Sequence, residues 1–213
     1  MKETSVVAPW WTLFRGFLRA PRSVGSIAPS SPRLADAMLD AARPEWARTV
    51  VEFGPGTGAL TGAIIHRLRS DARLLAFEVD TKFVANLRSH YRDARVTFVA
   101  ACATESPRYL ARFGTPTADC VVSSLPLSVL PRPLTHRIME AALDCLRPGG
   151  IFVTYQFTTA LARPILQDYF PEVRRTRFVM RNFPPAMVFA CRKPPETAQP
   201  QAPELCLVGD AAY

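Results

Sequence analysis

The stretch Val50-Val51-Glu52-Phe53-Gly54-Pro55-Gly56-Thr57-Gly58-Ala59-Leu60-Thr61 constrains this chain more than any other. An apolar run of strand length enters three alternating glycines, and a helical pattern leaves them. Glycine at Gly54, Gly56 and Gly58 removes the Cβ atoms that keep a ligand away from bare backbone, and the turn delivers main-chain amides at the start of a helix. Alone, such a turn also joins strand to helix without any ligand, and nicotinamide sites use a related pattern. A second element narrows the reading. Leu74-Leu75-Ala76-Phe77 ends in Glu78-Val79-Asp80, which puts a carboxylate at the end of the next strand, about 20 residues on, where ribose hydroxyls lie in nucleotide-binding folds.

The rest of the chain alternates strand and helix patterns. Period and turn signals predict strands near residues 49–53, 73–79, 95–99, 118–124, 150–157, 174–181 and 186–192, with helices near 30–42, 58–69, 81–90, 106–113, 132–146 and 160–169. Arg147-Pro148-Gly149-Gly150 reads as a helix stop and turn before the fifth strand. Such an order implies an α/β fold with a doubly wound, mostly parallel seven-stranded sheet. Asn182-Phe183-Pro184-Pro185-Ala186 is the turn of a final hairpin, and residues 193–213, rich in Pro, Gln and Glu at their start, form an extended tail. At 213 residues and 48% hydrophobic content there is one sizeable core and little left for a second domain.

Composition also bounds the surroundings. Cys102, Cys120, Cys145, Cys191 and Cys206 are odd in number and lack a Cys-x-x-Cys spacing, so they read as thiols of a reducing compartment and supply neither a disulfide frame nor a metal site. No apolar stretch approaches the ~20 residues of a membrane-spanning helix, and Arg15 and Arg19 interrupt the N-terminal apolar segment as no signal peptide does. A cytoplasmic protein is expected. Its formal charge of +8 draws it to anionic surfaces, nucleic acid or acidic lipid.

The N-terminal segment, residues 1–24, points to lipid. Wound as a helix at about 100° per residue, Trp10, Trp11, Leu13, Phe14, Phe17 and Leu18 share an arc of roughly 160°, with Thr12, Arg15, Gly16 and Arg19 opposite. Aromatic rings on one side and cations on the other suit a helix lying in a membrane interface, and Trp10, Trp11, Phe14, Arg15, Phe17, Leu18 and Arg19 are the expected membrane contacts. The alternative is that the same face packs on the protein's own core. Further on, Ser30 or Ser31 caps the next helix, with Pro32 in its first turn.

Glu52-x-Gly-Pro-Gly-Thr-Gly followed by Glu78 resembles the class I S-adenosylmethionine-dependent methyltransferases. A longer series narrows this: Phe17-Leu18, Gly25-Ser26-Ile27-Ala28-Pro29-Ser30-Ser31, Glu52 to Gly58, Ser123-Ser124-Leu125-Pro126-Leu127, Gln156-Phe157-Thr158 and Asn182 to Ala186. In that order it is similar to the bacterial phospholipid N-methyltransferases, over residues 13 to 192. The resemblance implies a Rossmann-like domain at 25–192 with its final strand antiparallel, S-adenosylmethionine as cofactor, and transfer of methyl groups to the amine of phosphatidylethanolamine, with its mono- and dimethyl forms as further acceptors on the way to phosphatidylcholine. It further implies a peripheral place on the inner face of the cell membrane, with anionic phospholipid as partner and neither nucleic acid nor metal.

The cofactor residues so implied are Ser26, Ser30, Glu52, Gly54, Pro55, Gly56, Gly58, Glu78, Val79, Cys102, Ala103 and Ser123. Cys102 stands where many relatives place an aspartate that accepts from the adenine amino group, and a thiol is a weak acceptor, so main-chain groups or Glu105 must serve instead. On the acceptor side, Ser124 and Leu125 lie in a strand-end loop whose carbonyls and hydroxyls suit an amine, and Tyr155 offers a phenol and a π face to an ammonium. Arg181 and Asn182 adjoin the hairpin turn as candidates for the headgroup phosphate. His66 and His90 read as solvated helix residues. The rival enzyme reading is an RNA adenine-N6 dimethyltransferase, which carries an aromatic ring where this chain has Leu127 and uses a C-terminal helical domain. A catalytically silent membrane-binding module of the same fold is the third.

Overall fold

A computed structural model of the protein describes residues 31–180, 182 and 184–196. The expected interfacial helix with Trp10, Trp11, Phe14, Arg15, Phe17, Leu18 and Arg19 lies outside the described residues, as do Ser26, Ser30, Arg181 and the tail beyond 196.

Helix α1 (Pro32–Ala42) starts where the sequence signals it. The Leu34 N–H donates to Ser31 Oγ at 3.3 Å, so Ser31 is the cap, and Pro32 occupies the first turn. It stops at Arg43, whose backbone is left-handed (φ 51°), and Pro44 cannot continue it. There follow β1 (Thr49–Phe53), α2 (Ala59–Arg67), β2 (Arg73–Glu78), α3 (Thr81–His90), β3 (Val96–Ala100), α4 (Ser106–Arg112), β4 (Ala118–Ser123), α5 (Arg132–Cys145), β5 (Leu146–Gln156), α6 (Thr159–Gln167), β6 (Glu172–Val179) and β7 (Ala186–Arg192).

The seven strands form one sheet in the order β3-β2-β1-β4-β5-β7-β6. All pairs from β3 to β5 are parallel, and β7 runs antiparallel to both β5 and β6. The chain winds outward from β1 to β3, then returns to the other side of β1 as β4. Above that reversal the loops diverge and leave a crevice at the carboxyl ends of β1 and β4, the position where open α/β sheets bind ligands. Both faces are covered, as the unbroken burial of β1 requires. Helices α1, α2 and α3 cover one face through Leu34, Met38, Ile64 and Leu87, and α4, α5 and α6 cover the other through Leu110, Ile138, Met139 and Leu166.

One turn signal belongs to a different feature. Helix α5 ends at Cys145 and β5 begins at Leu146, so Arg147-Pro148-Gly149-Gly150 lies inside the strand. There the register steps from Ala118↔Leu146 to Cys120↔Ile151, a bulge on β5. Gly150 is needed because a Cβ there would stand 2.8 Å from the Arg147 carbonyl oxygen. Asp119 braces the bulge, accepting from Arg147 Nε at 2.6 Å and from the N–H groups of Arg48 and Thr49 at 2.7 and 3.0 Å. Among the described residues no helix is long and apolar enough to cross a membrane.

Candidate active site

Three glycines enter the crevice from β1, and two of them are explained by packing. A Cβ on Gly54 would stand 2.7 Å from Leu125 Cδ2, and one on Gly58 would meet Leu87 at 2.7 Å and Tyr91 at 2.9 Å. Gly58 therefore also serves the contact of α2 with α3. Gly56 differs. Its φ is +55° and a Cβ there would meet nothing within 4 Å, so the bare main chain faces open space. Pro55 is buried and its carbonyl accepts the Gly58 N–H at 2.8 Å to close the turn.

Two buried carboxylates flank this turn, and one of them holds it. Glu78, at the end of β2, accepts the Gly56 N–H at 3.1 Å with one oxygen and the Asp80 N–H at 2.9 Å with the other. Burial raises its pKa against those main-chain bonds. Glu52 is wholly buried on β1 and accepts from the Thr61 hydroxyl at 2.8 Å through Oε2, while Oε1 has no partner. Burial pushes its pKa up to about 8, the Thr61 bond opposes the shift, and the charge of Glu78 adds to it. An orphaned buried carboxylate oxygen is costly unless a cation or donor arrives to meet it. Thr61 and Tyr91 escaped the sequence reading. The Tyr91 hydroxyl donates to the Gly58 carbonyl at 2.9 Å, and its ring fills the notch left by Gly58 and Gly62. Glycine at Gly62, mid-helix, was the available signal.

Beside the turn, Gly54, Glu78, Val79, Cys102, Ala103 and Leu125 line one small apolar cavity of about 30 Å³, closed on its outer side by Leu130 and Leu134. The half-buried Leu125 and Leu130 border it from the loop after β4. Cys102 faces it half-buried, where the resemblance would place an aspartate. Glu105 does not reach back. Its carboxylate is turned to Arg108 at 3.9 Å. Taken together, the open main chain at Gly56, the unpartnered oxygen of Glu52, the carboxylate of Glu78 and the apolar cavity fit S-adenosylmethionine, which carries an ammonium, a ribose and an adenine.

The acceptor loop follows β4. Ser123 is fully buried, and its Oγ accepts the Leu125 N–H at 3.3 Å, so the hydroxyl shapes the loop. Ser124, half-buried, donates its N–H to the Phe53 carbonyl at 2.9 Å. Gln156 at the end of β5 grips the loop: its Nε2 donates to the Leu125 carbonyl at 3.0 Å, and its Oε1 accepts from Ser128 Oγ at 3.5 Å. That carbonyl, expected to face an amine, is thus already bound once by the protein. The motif Gln156-Phe157-Thr158 does not disclose this role, since a buried amide leaves no mark in the sequence pattern.

Two candidates stand elsewhere. Tyr155 is at the right end of β5 yet on the α1 face, buried with Val179 and Val188 and edge-on to Phe157 at 5.5 Å. Asn182 is also buried. Its Oδ1 accepts the Ser31 N–H at 3.3 Å and its Nδ2 donates to the Pro184 carbonyl at 2.8 Å. The amide clasps the hairpin turn to the start of α1, and both its polar atoms are engaged there. His66 and His90 are exposed on their helices, as expected. Cys120, Cys145 and Cys191 are buried, and burial pushes their thiols up to about 12.

Comparison with known proteins agrees with this geometry. Residues 50–150 match the family model of a methyltransferase domain. An ornithine lipid N-methyltransferase of Singulisphaera acidiphila is 32% identical over 182 residues, covering 84% of this chain and 94% of that protein. The ribosomal RNA small subunit methyltransferase A of Aromatoleum aromaticum is 32% identical over 151 residues, 71% of this chain but only 54% of the relative. Among solved structures, the N-methyltransferase NodS from Bradyrhizobium japonicum, in complex with S-adenosyl-L-homocysteine, superposes with a TM-score of 0.61 at 14% identity, over 85% of this chain and 98% of that one.

Proposed function

Because this chain belongs to the class I S-adenosylmethionine-dependent methyltransferases, we propose that it moves methyl groups from that cofactor to the amine of a membrane-lipid headgroup. The observation that carries the lipid assignment is the match to an ornithine lipid N-methyltransferase along nearly that protein's whole length. The motif series read from the sequence supports the same class with phosphatidylethanolamine as acceptor. Ornithine lipid and phosphatidylethanolamine are therefore the two acceptors to compare, each offering an amine that is an ammonium at neutral pH.

The cofactor, when bound, supplies a methyl group activated by its sulfonium centre. Glu52 would hold the cofactor's ammonium, Glu78 its ribose hydroxyls, and the wall of Val79, Cys102 and Ala103 its adenine. The Ser124–Ser128 loop, fixed by Gln156 and Ser123, would position the incoming amine, since most of the gain in such a displacement comes from holding nucleophile and carbon in line. The amine must arrive without its proton, and the apolar surroundings of Leu125 and Leu130 favour the neutral form. Residues 1–24 would bring the enzyme to the bilayer as an interfacial helix, and Arg181 would meet the headgroup phosphate.

A specific side chain disfavours RNA. Leu127, where base-methylating relatives carry a ring, is 1% exposed in the core beneath the loop and can stack on nothing. The deciding assay supplies cofactor labelled in its methyl group together with vesicles containing either lipid, or with ribosomal RNA. Label should enter lipid, and Gly56→Val should abolish transfer by filling the open main-chain cradle. Label in RNA alone would sink the proposal.

A further inference from the structure

Large apolar side chains stand exposed on the same edge of the sheet as the crevice: Val129 at 66%, Leu161 at 58%, Phe178 at 50% and Met180 at 71%. Val129 lies on the loop after β4, Leu161 in the first turn of α6 directly after β5, and Phe178 and Met180 at the end of β6 where the hairpin turns. Because the strands run β4-β5-β7-β6, these positions span three strand spacings, about 14 Å. The Ser128 contact to Gln156 ties the first of them to the end of β5. A cluster of this kind at the mouth of a site is uncommon on a surface meant only for water.

Arginines border this rim at Arg132 and Arg163, whereas Arg174 and Arg177 further down β6 are paired with Glu172 and Asp40. Residues 124–139 and 157–167, which carry Val129 and Leu161, contain no Asp or Glu but include Arg132, Arg137 and Arg163. Arg132, beside the Val129 loop, and Arg163, beside Leu161, are exposed. Apolar side chains bordered by arginine suit the boundary between acyl chains and anionic headgroups, where the former enter and the latter meet phosphate.

We propose that Val129, Leu161, Phe178 and Met180, flanked by Arg132 and Arg163, form a docking rim that seats the carboxyl edge of the sheet on an anionic bilayer, independently of residues 1–24. This rests on the lipid-methylating function proposed above and supplies what that function needs. A headgroup amine can reach the crevice while its acyl chains stay in the membrane only if this edge faces the bilayer. The inner ends of β4 and β5 then open onto the headgroup layer.

The test uses the full chain carrying Val129→Ser, Leu161→Ser and Met180→Ser together, floated with phosphatidylcholine vesicles that contain phosphatidylglycerol. Vesicle affinity should fall about tenfold or more, with calorimetric cofactor affinity unchanged because none of the three lines the cofactor cavity. Hydrogen exchange on the wild type should show protection of residues 128–130, 159–163 and 178–180 when vesicles are added. Unchanged vesicle affinity, or protection confined to residues 1–24, would overturn the rim. A change in self-association of the triple variant with vesicle affinity intact would also overturn it, in favour of a second copy of the chain as occupant. Failure of the parent reading is separately visible: wild-type protein that binds through the rim but methylates no lipid amine supports the rim and removes the function.

Discussion

Glu52 concentrates the electrostatic cost of this site in one carboxyl. Its pKa in the folded protein, about 8, lies above its ordinary value of 4.5. The favourable side of that shift is therefore complete below about 4.5 and lost as pH rises to about 8, so wild-type protein without cofactor should weaken across that window by on the order of a few kcal/mol. Glu52→Gln should flatten the dependence in denaturant titrations at several pH values. If the cofactor ammonium meets Oε1, Glu52 must give up its proton on binding, and calorimetry near pH 7 in buffers of different ionisation enthalpy should detect a proton release that Glu52→Gln lacks. Glu78 behaves otherwise because it accepts main-chain N–H groups with both oxygens. Glu78→Gln would set an amide N–H against one of those donors, and cofactor affinity should drop about 10- to 100-fold, a conflict of roughly 1–3 kcal/mol. An unchanged dissociation constant would show that the carboxylate neither shapes the turn nor meets ribose.

At the scale of elements, the acceptor loop between β4 and α5 depends on a strand that follows it in sequence. Gln156→Leu removes the donor to the Leu125 carbonyl and the partner of Ser128, and the loop loses its hold on β5. Turnover should fall about 10- to 100-fold while cofactor affinity stays near wild type, as misplacement of an acceptor does. A fall in affinity of the same size would place Gln156 in the cofactor half instead. This dependence also shows what could be read from the chain alone. The starts of α1 and α3, the glycine turn and the hairpin were legible because each is a local matter of capping, φ or proline chemistry. The bulge at Arg147 to Gly150 was not, since Gly-Gly after Pro reads as a turn unless the register with β4 is known. Nor was the clasp at Asn182, whose partner Ser31 lies 151 residues away. Glu78 could be named from spacing and Glu52 from the resemblance, yet the burial that raises both pKa values and the partners that oppose it, Thr61 and the Gly56 amide, appear only when β1, α2 and β2 are assembled.

For the whole molecule, the two ends of the sheet carry different burdens. The amino edge is stapled by Asp119 and the β5 bulge, whereas the carboxyl edge gathers the open glycine main chain, two buried carboxylates, an apolar cavity and a basic, apolar rim. The central claim is that the group methylated is a lipid amine, and it is tested most directly by locating the methyl group. Protein incubated with deuteromethyl-labelled cofactor and vesicles holding both ornithine lipid and phosphatidylethanolamine should yield lipid whose tandem mass spectrum puts the label on the headgroup nitrogen, and Gly56→Val should yield none. Label on any other atom of the lipid, or none in lipid from a protein that binds the cofactor, would contradict the account.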